Sequence, residues 1–225
     1  MVLPSPEEPS RGFVYLHGFA SSPRSKKALA MSEALRADGW AVRVPDLNEG
    51  GFEDLTVSRA LEQAASQLFH RTILIGSSMG AYVGTLLALR DPRIRGLVLM
   101  APAFDLAERL MRRYDRDVET WRREGQLEVE HYGYGGELKP IRWAFVEDAW
   151  THEGRPSIPS PAYVLTGERD EVVPVELVSE VVRASESAVE YDRVDDDHAL
   201  LNSWPRALAA ARALAKRRFG SQVEP

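Results

Sequence analysis

One serine sits where its hydroxyl could be made a nucleophile. Ser78 is the centre of Gly76-Ser77-Ser78-Met79-Gly80, a G-x-S-x-G run. An apolar stretch, residues 72–75, precedes it, and a helical pattern opens at Ala81. A strand–turn–helix setting of this kind holds the central side chain clear of the backbone, and the glycines let the turn be tight. A serine hydroxyl is a weak nucleophile and needs a base. His198 follows a second apolar stretch, residues 189–194, in Asp195-Asp196-Asp197-His198. Between them, Asp170 follows the stretch 162–165, and the chain order is nucleophile, acid, base. The expected roles are attack by Ser78, proton transfer through His198 and orientation of the imidazole by Asp170. Glu168 and Glu171 are alternative acids. A plain Gly/Ser turn at Ser78, a solvated Asp170 and a surface His198 are the non-catalytic alternatives, but three such residues in order after three strands favour the catalytic one. The chain has no cysteine, which excludes thiol nucleophiles, disulfides and thiolate metal sites.

An acyl-transfer site also needs donors for the developing oxyanion. The backbone N–H of Met79, just after the nucleophile, is one candidate. The second is the N–H of Phe19, in the loop His17-Gly18-Phe19 after the first apolar stretch. His17 reads as a structural, hydrogen-bonded residue, and His70, His131 and His152 have no evident partner. Arg24, Lys26 and Lys27 open the first helix, where positive charge opposes the helix dipole. They form a solvated turn or a place that draws in an anionic substrate.

The elements that must position these residues alternate. Short apolar runs at 12–16, 40–44, 72–75, 97–100, 162–165 and 189–194 read as strands, and helical periodicity fills the intervals. Continuous apolar strands between helices predict a parallel sheet covered on both faces, with ligands beyond the carboxyl ends of the strands. Ser203 is a candidate N-cap for the last helix, which runs toward Arg218 and stops before Gly220. The alternation breaks once. Residues 104–156 hold 8 of the chain's 19 aromatics and show no clear strand. One charged amphipathic helix over 105–123, a turn at 133–136 and a helix over 142–151 are expected there. The segment reads as a small helical cap within a single domain spanning 1–225.

The length of 225 residues suits one domain, and the net charge of −6 makes nucleic acid a poor partner. Residues 1–9 are Pro-rich and acidic and show no targeting signal, and no apolar run is long enough to span a bilayer. The expectation is a cytoplasmic monomer or homodimer acting on a small molecule. No P-loop is present, and the first strand is followed by His17-Gly-Phe-Ala-Ser-Ser where a dinucleotide fold needs G-x-G-x-x-G.

These motifs resemble the α/β-hydrolase superfamily. His17-Gly18, the Gly76–Gly80 elbow, Gly167-x-x-Asp170-x-x-Val173-Pro174 and the late His198 carry the resemblance. Leu16-His-Gly-Phe-Ala-Ser-Ser-Pro-Arg-Ser-Lys-Lys-Ala28 is similar to a small bacterial esterase family with an HGF-x-SSP-x-S signature. Residues 142–152 look loosely like the branch containing the mitochondrial palmitoyl-protein thioesterase and acyl-glucuronide esterase. The resemblance implies a six-stranded α/β-hydrolase fold, lacking the two leading antiparallel strands of larger members. It also implies hydrolysis of carboxylic esters or thioesters by Ser78, Asp170 and His198, without metal or organic cofactor. Because fold does not fix reaction, amide or C–C hydrolysis and a non-catalytic binding role remain alternatives.

Overall fold

The computed structural model describes residues 9–159, 161–185 and 188–220. The N-terminal stretch read above as lacking a targeting signal lies almost wholly outside them. In chain order the first elements are strand β1 (Arg11–Leu16), helix α1 (Lys26–Ala37), β2 (Val42–Arg43), α2 (Val57–Ser66), β3 (Arg71–Ser77), α3 (Met79–Ala88) and β4 (Ile94–Met100). Next come α4 (Leu106–Arg113), α5 (Val118–Glu124), β5 (Gln126–His131), β6 (Glu137–Arg142) and α6 (Ala144–Trp150). The chain closes with β7 (Ala162–Gly167), α7 (Val175–Ala184), β8 (Val189–Val194) and α8 (Trp204–Phe219).

Six strands form one parallel sheet in the order β2-β1-β3-β4-β7-β8. The continuous apolar strands have a simple cause. Alternate side chains enter opposite faces, and both faces are covered. Phe13 and Tyr15 of β1, Ile73 and Ile75 of β3, and Val98 and Met100 of β4 pack under α1 and α8. Val14 and Leu16, Leu74, and Leu97 and Leu99 enter the opposite layer with α2, α3 and α7. Each fully buried Leu, Ile or Phe stabilises the fold by about 1.5–3 kcal/mol relative to exposure. The sheet therefore sets the direction of every strand end, and β1, β3, β7 and β8 all deliver their loops to one edge.

The segment after β4 departs from expectation in two ways. It is not purely helical, because β5 and β6 form a two-stranded antiparallel hairpin. Along β5, Val129 and His131 are buried while Gln126, Glu128 and Glu130 are exposed, the alternation of a half-buried strand. Pro140 is tolerated because β6 belongs to a two-stranded ribbon with no further neighbour. The single helix expected over 105–123 is two, α4 and α5, separated at residues 114–117. Asp115 accepts its neighbour Arg116's N–H at 2.8 Å, and Asp117 starts the new helix. Aspartates favour such turns and caps over helix interiors. The buried side chains of this segment join the core layer on the α2, α3 and α7 side of the sheet. Trp121 is fully buried, donates its indole N–H to the Ile141 carbonyl at 2.9 Å, and meets Trp143 edge-on.

Candidate active site

Ser78 lies between β3 and α3 with φ 54° and ψ −119°, a left-handed backbone conformation that a non-glycine residue adopts only when its surroundings impose it. The surroundings are plain. Its N–H donates to the Met100 carbonyl at 2.9 Å, and its carbonyl accepts from Ala81, Tyr82 and Ala103. A Cβ on Gly80 would stand 2.2 Å from the Leu16 carbonyl oxygen, so only glycine lets α3 approach β1 this closely.

The expected partners converge on this serine. Ser78 Oγ is 3.0 Å from His198 Nε2, and His198 Nδ1 is 2.8 Å from Asp170 Oδ2. The Asp170 side chain is 1% exposed, and its other oxygen accepts the N–H groups of Val172 and Val173, each at 2.8 Å. The carboxylate is therefore fixed before it meets the imidazole. Glu168 and Glu171 are not at this position: Glu168 pairs with Arg193 and both are exposed.

His198 stands on a loop organised by Asp196. That buried carboxylate accepts from the N–H groups of Asp197 and Asn202 and from the Ser203 hydroxyl. Burial acts to raise the Asp196 pKa, but these hydrogen bonds outweigh it and hold the group below its ordinary value. Ser203 stands at the N-cap position of α8, yet its hydroxyl goes to Asp196 and makes no capping bond.

The loop after β1 is equally constrained. The Leu47 N–H donates to His17 Nε2 at 3.0 Å, which leaves Nδ1–H to donate to the Gly18 carbonyl at 2.9 Å. No peptide among the described residues is cis, so the Phe19 N–H points opposite to that carbonyl, away from His17. The Gly18 backbone runs alongside the nucleophile: a Cβ there would lie 3.3 Å from Ser78 Cβ. Met79 is the first residue of α3, where an N–H has no partner within the helix.

A residue profile of the uncharacterised protein family UPF0227 matches residues 12–214. The chain belongs to this family. No curated protein sequence matches it. Among solved structures, a protein of Agrobacterium vitis S4 named provisionally as a hydrolase is similar, with 28% identity and a TM-score of 0.78 over 91% of this chain and 88% of that one. Mouse alpha/beta hydrolase domain-containing protein 10 gives 22% identity and a TM-score of 0.76 over 92% and 90%. Est1E from Butyrivibrio proteoclasticus, with ferulic acid bound, gives 19% and 0.70 over 95% and 91%. The fold is that of the α/β hydrolases, as the motifs implied.

The UPF0227 chain has a cavity of about 1080 Å³ that reaches Ser78 and His198 and is also lined by α4, by Glu130 of β5 and by Tyr132 and Gly133 in the turn after it. The three basic residues at the start of α1 border it, but they differ: Arg24 and Lys26 are exposed, whereas Lys27 is half-buried. Burial pushes the Lys27 amine down to about 8, against the opposing pull of Asp196, Asp197 and Asp170.

A second Ser–Asp–His group, invisible in the sequence, joins α2 to α6. Ser58 donates its hydroxyl to Asp148 at 2.6 Å and contacts His152 Nε2 at 3.0 Å. Here the serine proton is already committed to the carboxylate, so the histidine cannot act as its base. The group is a clamp between the core and the segment after β4. His131 is buried with both ring nitrogens lacking hydrogen-bond partners among the described residues, and burial lowers its pKa. Among the described residues no three His, Asp or Glu side chains are arranged to hold a metal, and no helix is long and apolar enough to cross a membrane.

Proposed function

We propose that this protein is a serine hydrolase that cleaves carboxylic esters or thioesters through an acyl-enzyme on Ser78. One observation carries the reading: His198 lies within hydrogen-bond reach of Ser78 on one ring nitrogen and of Asp170 on the other. Esterases and hydrolases among the similar structures support hydrolysis as the reaction class. Ser78 Oγ attacks the acyl carbonyl as His198 Nε2 takes its proton. Asp170 stabilises the resulting imidazolium. The N–H groups of Phe19 and Met79 receive the oxyanion. His198 then protonates the departing alcohol or thiol, and water attacks the acyl-enzyme with His198 again as base. Residues 104–156 serve as a cap, and Leu106 and Leu110 of α4 supply an apolar wall to the cavity. No cofactor or metal takes part in these steps.

The test is hydrolysis of p-nitrophenyl butyrate by the wild-type protein and by Ser78→Ala. The expected result is turnover that Ser78→Ala abolishes, with a fluorophosphonate labelling Ser78 in the folded wild type. Wild-type rates in the Ser78→Ala protein would overturn the mechanism.

A further inference from the structure

The chain carries a net charge of −6, yet six cationic side chains border the cavity at Ser78 against three carboxylates. Five of these six side chains are either partnered or exposed to solvent. Lys27 faces Asp170, Asp196 and Asp197, and Arg169 pairs with Asp195. Arg113 donates to the Tyr132 hydroxyl, and Arg24 and Lys26 are exposed.

Arg109 is different. Leu106, Arg109, Leu110 and Arg113 all line the cavity, the i, i+3, i+4, i+7 face of α4 turned toward the serine. Arg109 is half-buried, and its Nε is buried without a hydrogen-bond partner among the described residues. The nearby Asp105 is taken by Arg155 at 2.7 Å, and Glu108, which also acts on Arg109, is exposed and borders a separate, smaller cavity. Leaving a guanidinium donor dry and unsatisfied is costly unless another group completes it. A planar fork of N–H donors matches a carboxylate or phosphate oxygen pair.

We propose that Arg109 is a specificity-determining residue that binds an anionic group, a carboxylate or phosphate, carried by the ester or thioester substrate. This rests on Ser78 acting as the acyl-transfer nucleophile. Leu106 and Leu110 flank the guanidinium on the same helix face, so the substrate that fits has an apolar stretch ending in the anion.

The experiment compares esters that differ only in exchanging a carboxylate for a methyl group. Mono-p-nitrophenyl glutarate against p-nitrophenyl pentanoate places the anion on the acyl side. 4-Acetoxybenzoate against 4-methylphenyl acetate places it on the leaving group. Inhibition by phenyl phosphate tests phosphate as the alternative anion. The wild type is expected to favour one anionic member in kcat/KM, and Arg109→Gln to lower that preference by roughly tenfold or more, as for a lost charge-assisted hydrogen bond. Arg109→Lys should keep part of it, and added salt should weaken it. Arg112→Gln, on the exposed side of α4, should leave the preference where it is. An equal preference in wild type and Arg109→Gln for both pairs, with no change in phenyl phosphate inhibition, would overturn the proposal. Titrating the Ser78→Ala protein with monoethyl glutarate, with and without Arg109→Gln, reads the anion contact without turnover. Binding that depends on Arg109 in a protein inert toward every ester would refute the mechanism at Ser78 but not the anion site. Ester turnover indifferent to Arg109 would refute the anion site alone.

Discussion

The Ser203 hydroxyl donates to the buried carboxylate of Asp196 at 2.9 Å, two residues before His198. This bond ties the start of α8 to the loop that presents the imidazole. The same carboxylate accepts the Asn202 N–H at 3.1 Å, so the turn closes on itself around one anion. Under the mechanism proposed for Ser78, Asp196 acts as a positioning residue for His198. Its removal leaves the buried hydroxyl and N–H donors without their acceptor, at a cost of about 1–3 kcal/mol.

For Asp196→Ala the expected outcome is a lower melting temperature together with a reduced kcat toward p-nitrophenyl butyrate. Fluorophosphonate labelling of Ser78 should slow by a similar factor, because His198 loses its orientation. A variant that melts earlier but keeps the wild-type kcat would show that Asp196 only stabilises.

The His17 contact makes a second prediction. His17 Nδ1–H holds the Gly18 carbonyl and thereby turns the Phe19 N–H. His17→Ala should lower kcat by about 10²-fold, the effect of losing one oxyanion donor, with a smaller change in KM. His17→Asn can place an amide N–H near the Nδ1 position and should recover part of the loss. Equal rates in His17→Ala and His17→Asn would argue against this orienting role.

Among the described residues two Ser–Asp–His groups are seen, and in the one at Ser78 the serine contacts the imidazole without also donating to the carboxylate. Ser58→Ala should melt at lower temperature, consistent with about 1.5–3 kcal/mol for a hydrogen bond to a charged group. It should retain ester hydrolysis and the fluorophosphonate label at Ser78. A label on Ser58 in the wild type would reverse the assignment.

His131 makes stability depend on pH. Burial holds its folded pKa below the ordinary 6.5, so the unfolded chain binds the proton more readily. Its contribution is fully present above about pH 6.5 and is lost as pH falls below that value. Urea denaturation between about pH 5 and 8 should show stability declining on the acid side. His131→Leu should flatten that part of the curve, and an unchanged slope in His131→Leu would contradict it.

Much of the fold is legible because a strand buried on both faces must be apolar at every position. The stretch 72–75 announced β3 for that reason, and the glycines at 76 and 80 announced the turn that follows it. The β5–β6 hairpin was not legible. Gln126–His131 is short and has only two apolar residues, Leu127 and Val129, and Pro140 argues against a strand unless that strand is known to stand at an edge. The break between α4 and α5 was also hidden, since the apolar spacing continues through residues 114–117 and only the aspartates hint at a turn.

By itself the sequence determined the residue types, their order and their place at strand ends: Ser78, Asp170 and His198 could be named from local pattern because each follows an apolar run. Only the tertiary structure decided that Asp170, rather than Glu168 or Glu171, meets the imidazole. Asp170 and His198, 28 positions apart in sequence, are brought together by the parallel pairing of β7 with β8. Only the structure also decided that His152 belongs to a clamp with Ser58 and Asp148, and that Arg109 faces the cavity while Arg112 does not. Burial, hydrogen-bond partners and net local charge depend on chain segments far apart in sequence. A one-dimensional pattern specifies what each residue can do, and the packing of distant segments specifies which of those capacities it exercises.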